Sequence, residues 1–316
     1  MIHKGFLKHG MFIEGRPIGT LLRYQNYKTQ PSMLARLAMM LPDAVRPTPD
    51  PALLIKQFVE AMNDMSVKSV WLQLFSANGE LDQDGKGATS ALVAALRSAG
   101  IVPVGWGYCY SKNAATDLDL ATRLCGTYGI DAFVADVEPG NTVHGQPDTW
   151  DPAAFEILIK GLSTKFGKDN LGISTFASMK LHPDALKIML VAQPYVCMYA
   201  PQVYWFDNDP AIYLRNSLAT WRAAGISTPI VATAQSYWDI GEGTPSQGVM
   251  EGKVKKLISD FTDDDWLKLI GLNWYHAGGQ NTSNSGAMSD PMIAAIVAGR
   301  LNDKSYASPP PVVASV

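Results

Sequence analysis

Two carboxylates at the end of an apolar run are the residues of this chain whose type and spacing best fit a chemical role. Residues 132–140 read Ala-Phe-Val-Ala-Asp-Val-Glu-Pro-Gly, so Asp136 and Glu138 end a β-prone run just before a Pro-Gly stop. Side chains two positions apart on a strand point to the same face, ~6–7 Å apart along it. Such a pair can perform acid/base chemistry on glycosidic bonds. Isolated pairs more often only meet solvent or cap a helix, so the rest of the chain must decide.

The composition describes a folded protein with a substantial core. The chain has 316 residues, of which 47% are hydrophobic and 17% charged, and this fits neither the disordered nor the fibrous class. The net charge of −3 provides no field that would recruit nucleic acid or an anionic membrane. No apolar run approaches the ~18 residues of a membrane span. The three cysteines form no CxxC motif, which argues against a disulfide framework and a zinc site.

An alternation of strands and helices runs through most of the chain. The predicted strands cover residues 18–27, 68–75, 101–110, the run ending in the acid pair, 171–177, 196–205, 229–235 and 269–275. The predicted helices after the first loop cover residues 51–65, 88–99, 114–128, 152–166, 183–192, 210–224, 248–261 and 291–301. Several strands are almost uniformly apolar, as strands covered on both faces must be.

This alternation predicts a parallel sheet with right-handed crossovers, and eight units favour a closed barrel. The expected fold is a single-domain α/β protein, a (β/α)8 TIM barrel over residues 18–303. Residues 1–17 are expected to form a lead-in strand or hairpin, and the Pro-rich residues 304–316 an extended tail. A doubly wound sheet is the alternative, but no glycine fingerprint follows the first predicted strand.

In such barrels the functional residues lie at the carboxyl ends of the strands. At those ends the sequence places aromatic, amide and hydroxyl side chains around the acid pair. Flat aromatic faces stack on sugar rings, and amides bind sugar hydroxyls. The candidate substrate-binding residues are Tyr24, Asn26, Gln73, Trp106, Tyr108, Gln202, Tyr204, Gln235 and Trp274. Each aromatic alone would more often be core, but their joint placement favours a sugar site.

Other chemistries have weaker support in the sequence. The five histidines are dispersed, with no HExxH, so no metal and no cofactor is expected. His276 is interpreted as a satisfied or solvent-facing histidine. Gly-x-Ser-x-Gly is absent and Cys109 has no evident base, which disfavours nucleophilic hydrolysis. A Schiff-base lysine near a strand end, as an aldolase would need, is poorly placed.

Part of the chain resembles glycoside hydrolase family 25, the lysozyme (N-acetylmuramidase) family of bacteria and phages. The resemblance rests on residues 103–108 (Pro-Val-Gly-Trp-Gly-Tyr), 128–131 (Tyr-Gly-Ile-Asp), 136–138 and 200–205 (Ala-Pro-Gln-Val-Tyr-Trp). Its pattern spans residues 68–205. The D-x-E end and Trp274 are also similar to family 18 chitinases, although the earlier acids of their longer motif are missing. The muramidases have an aspartate near the end of the first strand, where residues 23–26 read Arg-Tyr-Gln-Asn here.

The resemblance implies cleavage of β-1,4 bonds in an N-acetylated glycan, with peptidoglycan as the expected substrate. Glu138 would be the general acid, its pKa raised by the apolar wall and by Asp136. Asp136 would stay ionised, either stabilising the oxocarbenium-like charge or orienting an assisting acetamido group. Gln202 and Tyr204 would hold that group. Retaining and inverting routes stay open at this point, because backbone spacing does not fix the separation of the carboxyl groups.

The alternative is a non-catalytic barrel that binds glycan or builds a larger particle, such as a phage tail. The missing first-strand acid, the absent signal peptide and the Pro-rich tail favour it. The expected partner is bacterial cell-wall glycan, with other virion subunits bound through the termini as a further expectation; no nucleic acid or membrane partner is expected. Without a secretory signal, the protein is expected to be made in the cytoplasm and to reach the wall by a non-Sec route or on a virion.

Overall fold

The computed structural model describes residues 1–15, 21, 24, 50–76, 79–81, 86–143, 145–239, 245–277, 285–286 and 288–308. Eight parallel strands in these ranges form a closed barrel, which confirms the predicted fold class. The strands are β1 (Lys8–Ile13), β2 (Ser69–Ser76), β3 (Val102–Tyr108), β4 (Phe133–Asp136), β5 (Leu171–Phe176), β6 (Met198–Val203), β7 (Val231–Gln235) and β8 (Gly271–Tyr275). Each strand pairs with the next along the chain, and β1 also pairs with β8 to close the barrel.

The helices that follow the strands match the predicted ones to within about three residues at each end. They are α1 (Pro51–Asp64), α2 (Lys86–Ser98), α3 (Ala114–Tyr128), α4 (Pro152–Phe166), α5 (Pro183–Ala192), α6 (Pro210–Ala223), α7 (Gln247–Asp260) and α8 (Asp290–Gly299). The starts of α1, α4 and α6 have a shared local cause. Asp50, Asp151 and Asp209 each accept a backbone N–H of the first turn, and a proline follows each of them. A proline is favourable there because its missing N–H is one that the helix leaves unpaired anyway.

The strands bury two separate apolar layers. Alternate side chains point into the barrel, where Phe12, Trp71 and Trp106 pack with smaller residues of β3, β4, β6 and β7. The intervening side chains point outward and form the larger core with the helices, as Trp274 and Trp205 do. The facing direction of a strand residue therefore decides which layer it joins, and a shift of one position changes the layer.

Both ends of the described chain close the base of the barrel. A short 3-10 turn, Lys4–Phe6, places Phe6 against Trp71 with ring centroids 5.7 Å apart. At the other end, the Ala307 N–H donates to the Leu269 carbonyl at 2.7 Å. Residues 304–308 are irregular and lie against their own barrel, where Tyr306 packs on Trp266. The rest of the predicted tail, residues 309–316, lies outside the described residues.

The predicted lead-in over residues 1–17 is wrong as a separate unit, because residues 8–13 are the first barrel strand. Most of the predicted first strand, residues 18–27, lies outside the described residues; its two described positions, Leu21 and Tyr24, are helical and buried. The barrel therefore begins about ten residues earlier than predicted.

The error has a physical origin in Gly10. Polar residues spaced among glycines and short apolar groups indicated a lead-in strand or hairpin and not a barrel strand. A Cβ at Gly10 would overlap the Asn273 side chain inside the barrel, so this strand needs a glycine where β1 approaches β8 closely. Within the described ranges, no helix is long and apolar enough to cross a membrane.

Candidate active site

A pocket of about 490 Å³ opens at the carboxyl ends of the strands. Its lining residues are Phe12, Glu14, Trp106, Asp136, Glu138, Ser174, Gln202, Tyr204, Tyr237, Tyr275 and His276. A groove of about 600 Å³ lies near the amino ends of β7 and β8, but its lining is mainly apolar and contains no carboxylate. The chemistry of the lining therefore identifies the smaller pocket as the candidate active site.

Asp136 and Glu138 meet at one amide of Gln202. The Gln202 Nε2 group donates to Asp136 Oδ1 at 2.8 Å and to Glu138 Oε1 at 2.6 Å, and it lies 3.2 Å from Ser174 Oγ. Asp136 ends β4, and Gln202 lies on β6, with Ser174 on β5 between them. Because both carboxylate oxygens accept from the same nitrogen, their separation is at most the sum of the two hydrogen-bond lengths. That distance is shorter than the ~6.5–9.5 Å separation of carboxyl groups that an inverting glycosidase needs for a water.

Burial raises the pKa of both carboxyl groups. Asp136 is 7% exposed, and burial together with the charge of Glu138 raises its pKa well above the ordinary value. Glu138 lies nearer the mouth, and the amides of Gln202 and Asn141 oppose the rise of its pKa by stabilising the ionised form. Hydrogen bonds from Ser174 and Gln202 likewise oppose the rise at Asp136, but its deeper burial and the charge of Glu138 disfavour its ionised form. The expectation that Asp136 stays ionised stays a prediction, and the burial of this group opposes it.

Glu14 supplies a third carboxylate across the pocket. It directly follows β1, and its Oε2 lies 3.5 Å from His276 Nε2 at the end of β8. Tyr275 also hydrogen-bonds to Glu14. Glu14 was not among the predicted site residues, because the first strand was predicted about ten residues too late. An acid does follow the first strand, so one reason for expecting a non-catalytic barrel is removed.

Three tyrosines form an aromatic wall beside the acids. Tyr204 lies 5.3 Å from Tyr275 and 5.4 Å from Tyr237, measured between ring centroids. Burial raises the pKa of Tyr204 and Tyr275 well above the ordinary value, so both hydroxyls stay protonated. Protonated hydroxyls on an aromatic wall can donate to the oxygens of a bound sugar while the rings contact its apolar face.

Four of the predicted substrate-binding residues lie at or beside the acids. Trp106, Gln202 and Tyr204 line the pocket, and the indole Nε1 of Trp106 donates to the Ile13 carbonyl at 3.0 Å. Tyr108 lies on the same face of β3 as Trp106, and the charge of Glu138 adds to the burial that raises the pKa of Tyr108. Trp106 is only 4% exposed, so it forms the pocket floor rather than an open platform.

Two predicted amides hold loops instead of lining the pocket. Gln73 accepts the Gly15 N–H at 2.6 Å, which fixes the chain just after Glu14. Gln235 accepts the Phe206 N–H at 2.9 Å and donates to the Tyr237 carbonyl at 3.3 Å. Backbone groups use both polar side-chain atoms of Gln235 and the Oε1 of Gln73, and neither residue lines the pocket. Their expected contact with substrate stays a prediction.

Two predicted aromatic residues belong to the outer core. Trp274 is fully buried against Trp205, because it is on the outward face of β8 while its neighbour Tyr275 faces the pocket. Tyr24 packs on Phe58 and donates its hydroxyl to the Ala277 carbonyl at 2.9 Å. Neither is a sugar platform. Asn26 lies outside the described residues.

Other pocket residues were not among the candidates, although a simple signal could have found two of them. Strand alternation places Tyr275 two positions after the inward-facing Asn273, and Ser174 two positions after Gly172. No comparable signal exists for Tyr237 and His276, which lie in loops beyond β7 and β8. Among the described residues, no group of three or more potential metal-ligating side chains is present.

Comparison with solved structures shows the barrel fold. The chain is similar to a chitinase from Chromobacterium violaceum ATCC 12472, with 11% identity, a TM-score of 0.54 and coverage of 93% of this chain and 98% of that one. It is also similar to a class V chitinase from Pseudomonas fluorescens Pf-5, with 11% identity, a TM-score of 0.56 and coverage of 93% and 99%. The spore cortex-lytic enzyme SleL from Bacillus cereus gives 9% identity, a TM-score of 0.56 and coverage of 96% and 76%. No protein-family model matches the sequence, and no curated protein matches it significantly.

Proposed function

We propose that this protein is a glycoside hydrolase that cleaves β-1,4 bonds in an N-acetylated glycan, with peptidoglycan as its substrate. The observation that carries the proposal is the pair Asp136 and Glu138, joined by the Gln202 amide in a pocket with an aromatic wall. The named activities of the similar structures, chitinases and a cortex-lytic enzyme, support a glycan-cleaving role.

In the proposed reaction Glu138 is the general acid. It lies nearer the pocket mouth than Asp136, and burial raises its pKa toward the range in which a carboxylic acid can donate at neutral pH. In this proposal the proton of the resting pair is held by Asp136 and moves to Glu138 when the glycan binds, and Glu138 then passes it to the leaving oxygen. Asp136 is left ionised, and its charge stabilises the developing positive charge on the sugar ring.

The short separation within the pair supports retention of configuration. No water fits between carboxyl groups that share one amide N–H donor group, so the pair does not act as an inverting acid and base. A retaining reaction needs a nucleophile on the sugar's other side. An acetamido oxygen of the substrate is the proposed nucleophile, with Tyr204 and Gln202 holding the acetamido group.

The test measures new reducing ends after the protein is incubated with purified peptidoglycan, and in parallel with chitin. We expect reducing ends from peptidoglycan, and their loss by about 10²- to 10⁴-fold in Glu138→Gln, with an unchanged Tm. Glu156→Gln, which changes an exposed glutamate bonded to Tyr195, is the matched control and should stay active. Reducing ends released from chitin and not from peptidoglycan would support the hydrolase activity but refute peptidoglycan as the substrate.

A non-catalytic glycan-binding barrel is the competing hypothesis. Glu14 removes one of its supports, since a carboxylate does stand after the first strand. If the wild-type protein binds sacculi but releases no reducing ends, the glycan-binding hypothesis is supported and the proposed hydrolase activity is overturned. The virion partners and the delivery route stay predictions.

A further inference from the structure

The loop after β4 turns back so that Asn141 touches the proposed acid. Its Nδ2 donates to Glu138 Oε2, and its backbone N–H donates to the Glu138 carbonyl at 3.0 Å. The other side of the same amide, Oδ1, accepts the Thr142 N–H at 2.9 Å. Because one face of the amide is occupied by a backbone donor, its orientation is fixed and the NH₂ group must face Glu138.

Asp148 holds this loop in place from below. Its backbone pairs with the turn: the Gly140 N–H donates to the Asp148 carbonyl, and the Asp148 N–H to the Asn141 carbonyl, both at 2.7 Å. Its side chain is fully buried and accepts the Ser111 N–H at 3.0 Å and the Trp150 indole N–H at 3.0 Å. One buried carboxylate therefore ties the loop after β3 to the loop after β4.

We propose that Asn141 and Asp148 are positioning residues for Glu138, and that they set which carboxyl group of the pair holds the proton. Asn141 keeps Glu138 Oε2 as an acceptor, while Asp148 fixes the loop that carries Asn141. The inference deepens the proposed function and rests on it, because the two residues matter for catalysis only if Glu138 is the general acid.

The two residues act on Glu138 with opposite sign. The Asn141 amide lowers the pKa of Glu138 because it stabilises the ionised form, whereas the negative charge of Asp148 raises it. The other titratable groups that face Glu138 are Asp136 at the end of β4, Tyr108 on β3, Tyr204 just after β6 and Tyr275 on β8. None of these groups changes in the two variants below, so the sign of the shift can be assigned.

The experiment follows the carboxyl-carbon NMR signals of the full-length protein, labelled at glutamate, against pH. The signal of Glu138 is identified by its absence in Glu138→Gln. We expect Asn141→Leu to shift the titration of Glu138 to higher pH, and Asp148→Asn to shift it to lower pH. Matched controls are Asn170→Leu, whose amide bonds the Phe166 carbonyl at the amino end of β5, and Asp151→Asn at the start of α4; neither should move it.

A purely structural role for the loop would move neither titration, or both in the same direction, and either result overturns the inference. Asn141 is exposed, so Asn141→Leu is expected to fold; if Asp148→Asn does not, the Asn141 titration alone decides. Asp148→Glu, which keeps the charge, should restore the wild-type titration where it folds.

The titration does not depend on turnover, so the two proposals can fail separately. If Glu138 shifts as expected but no glycan is cleaved, the positioning role stands and the proposed function falls. If glycan is cleaved while Glu138 titrates identically in all variants, the positioning role falls. Where both hold, the pH profile of kcat/KM should move in the same direction as the titration.

Discussion

The two sides of the pocket hold carboxylates in opposite ways. On the side of β4, β5 and β6, Asp136 and Glu138 are held by uncharged donors, chiefly the Gln202 amide, and Asp136 is 7% exposed. On the side of β8 and β1, the Glu14 side chain is 45% exposed and lies 3.5 Å from His276. Among the described residues that line the pocket, the first side is the more buried and carries no basic side chain. The other offers both solvent and a side chain that can carry positive charge.

The difference teaches how one small pocket can separate two roles for the same chemical group. An uncharged amide compensates a buried carboxylate only in part, so burial on the first side favours a bound proton. We therefore interpret the buried pair as the proton store of the site, and Glu14 as a carboxylate that faces the substrate from across the pocket.

Removing the charge of the buried pair should have the largest effect. Asp136→Asn is expected to lower glycan cleavage by about 10²- to 10⁴-fold, because it removes both the proton store and the charge that faces the sugar. Reducing-end release at saturating glycan measures this loss. Wild-type activity in Asp136→Asn would show that Glu138 takes its proton from another source.

The same variant should change the pH dependence of stability. The folded-state pKa of Asp136 is raised, so between the unfolded and folded values the native state binds more protons and stability falls as pH rises. The amide of the Asp136→Asn variant does not titrate, so this fall is absent there. The Tm of Asp136→Asn minus that of the wild type should therefore increase as the pH rises above ~4, the ordinary pKa of an aspartate. A constant Tm difference from about pH 4 to about pH 8 would contradict the assignment of the proton to Asp136.

Breaking the shared amide should have an intermediate effect. Gln202→Met keeps the volume but removes the donor to both carboxyl groups, at a cost of about 1–3 kcal/mol for each buried group left without it. We expect about a 10- to 100-fold loss of cleavage and a lower unfolding free energy, measured by urea denaturation. Gln193→Met, at the base of the barrel, is the matched control. Full activity in Gln202→Met would mean that the pair is aligned by the backbone alone.

The exposed side should give the smallest effect on stability. Glu14→Gln removes an exposed pair with His276, and such pairs are worth about 0–1 kcal/mol, so the Tm should hardly change. Cleavage is expected to fall by less than about tenfold, mainly through KM, if Glu14 only faces the substrate. A loss in kcat as large as that of Asp136→Asn would overturn the division between the two sides and make Glu14 part of the chemistry.

Much of the site was predictable because its signals are local. The pair Asp136 and Glu138 was identified from a strand that ends in alternating acids, and Gln202 and Tyr204 from the end of β6. The helices were predicted within a few residues because aspartate caps, prolines and apolar stripes mark them in the sequence. These features depend on near neighbours in the chain, and near neighbours are what a sequence shows.

The errors share a different cause, since each depends on contacts between distant residues. β1 has a glycine because Gly10 meets Asn273, which lies near the other end of the chain, and no local pattern reveals that approach. Trp274 was taken for a sugar platform because its strand end was identified without its facing direction, which the register with β1 and β7 sets.

The sequence by itself determined the alternation of strands and helices, the closed barrel and the position of the acid pair at the end of β4. Periodicity, caps and composition suffice for these, because they follow from the local geometry of the chain. Only the tertiary structure decided that Glu14 lies across the pocket, that one amide joins the pair, and that burial raises the pKa of Asp136. Those properties depend on burial and on distances across the barrel, which the packed fold alone sets.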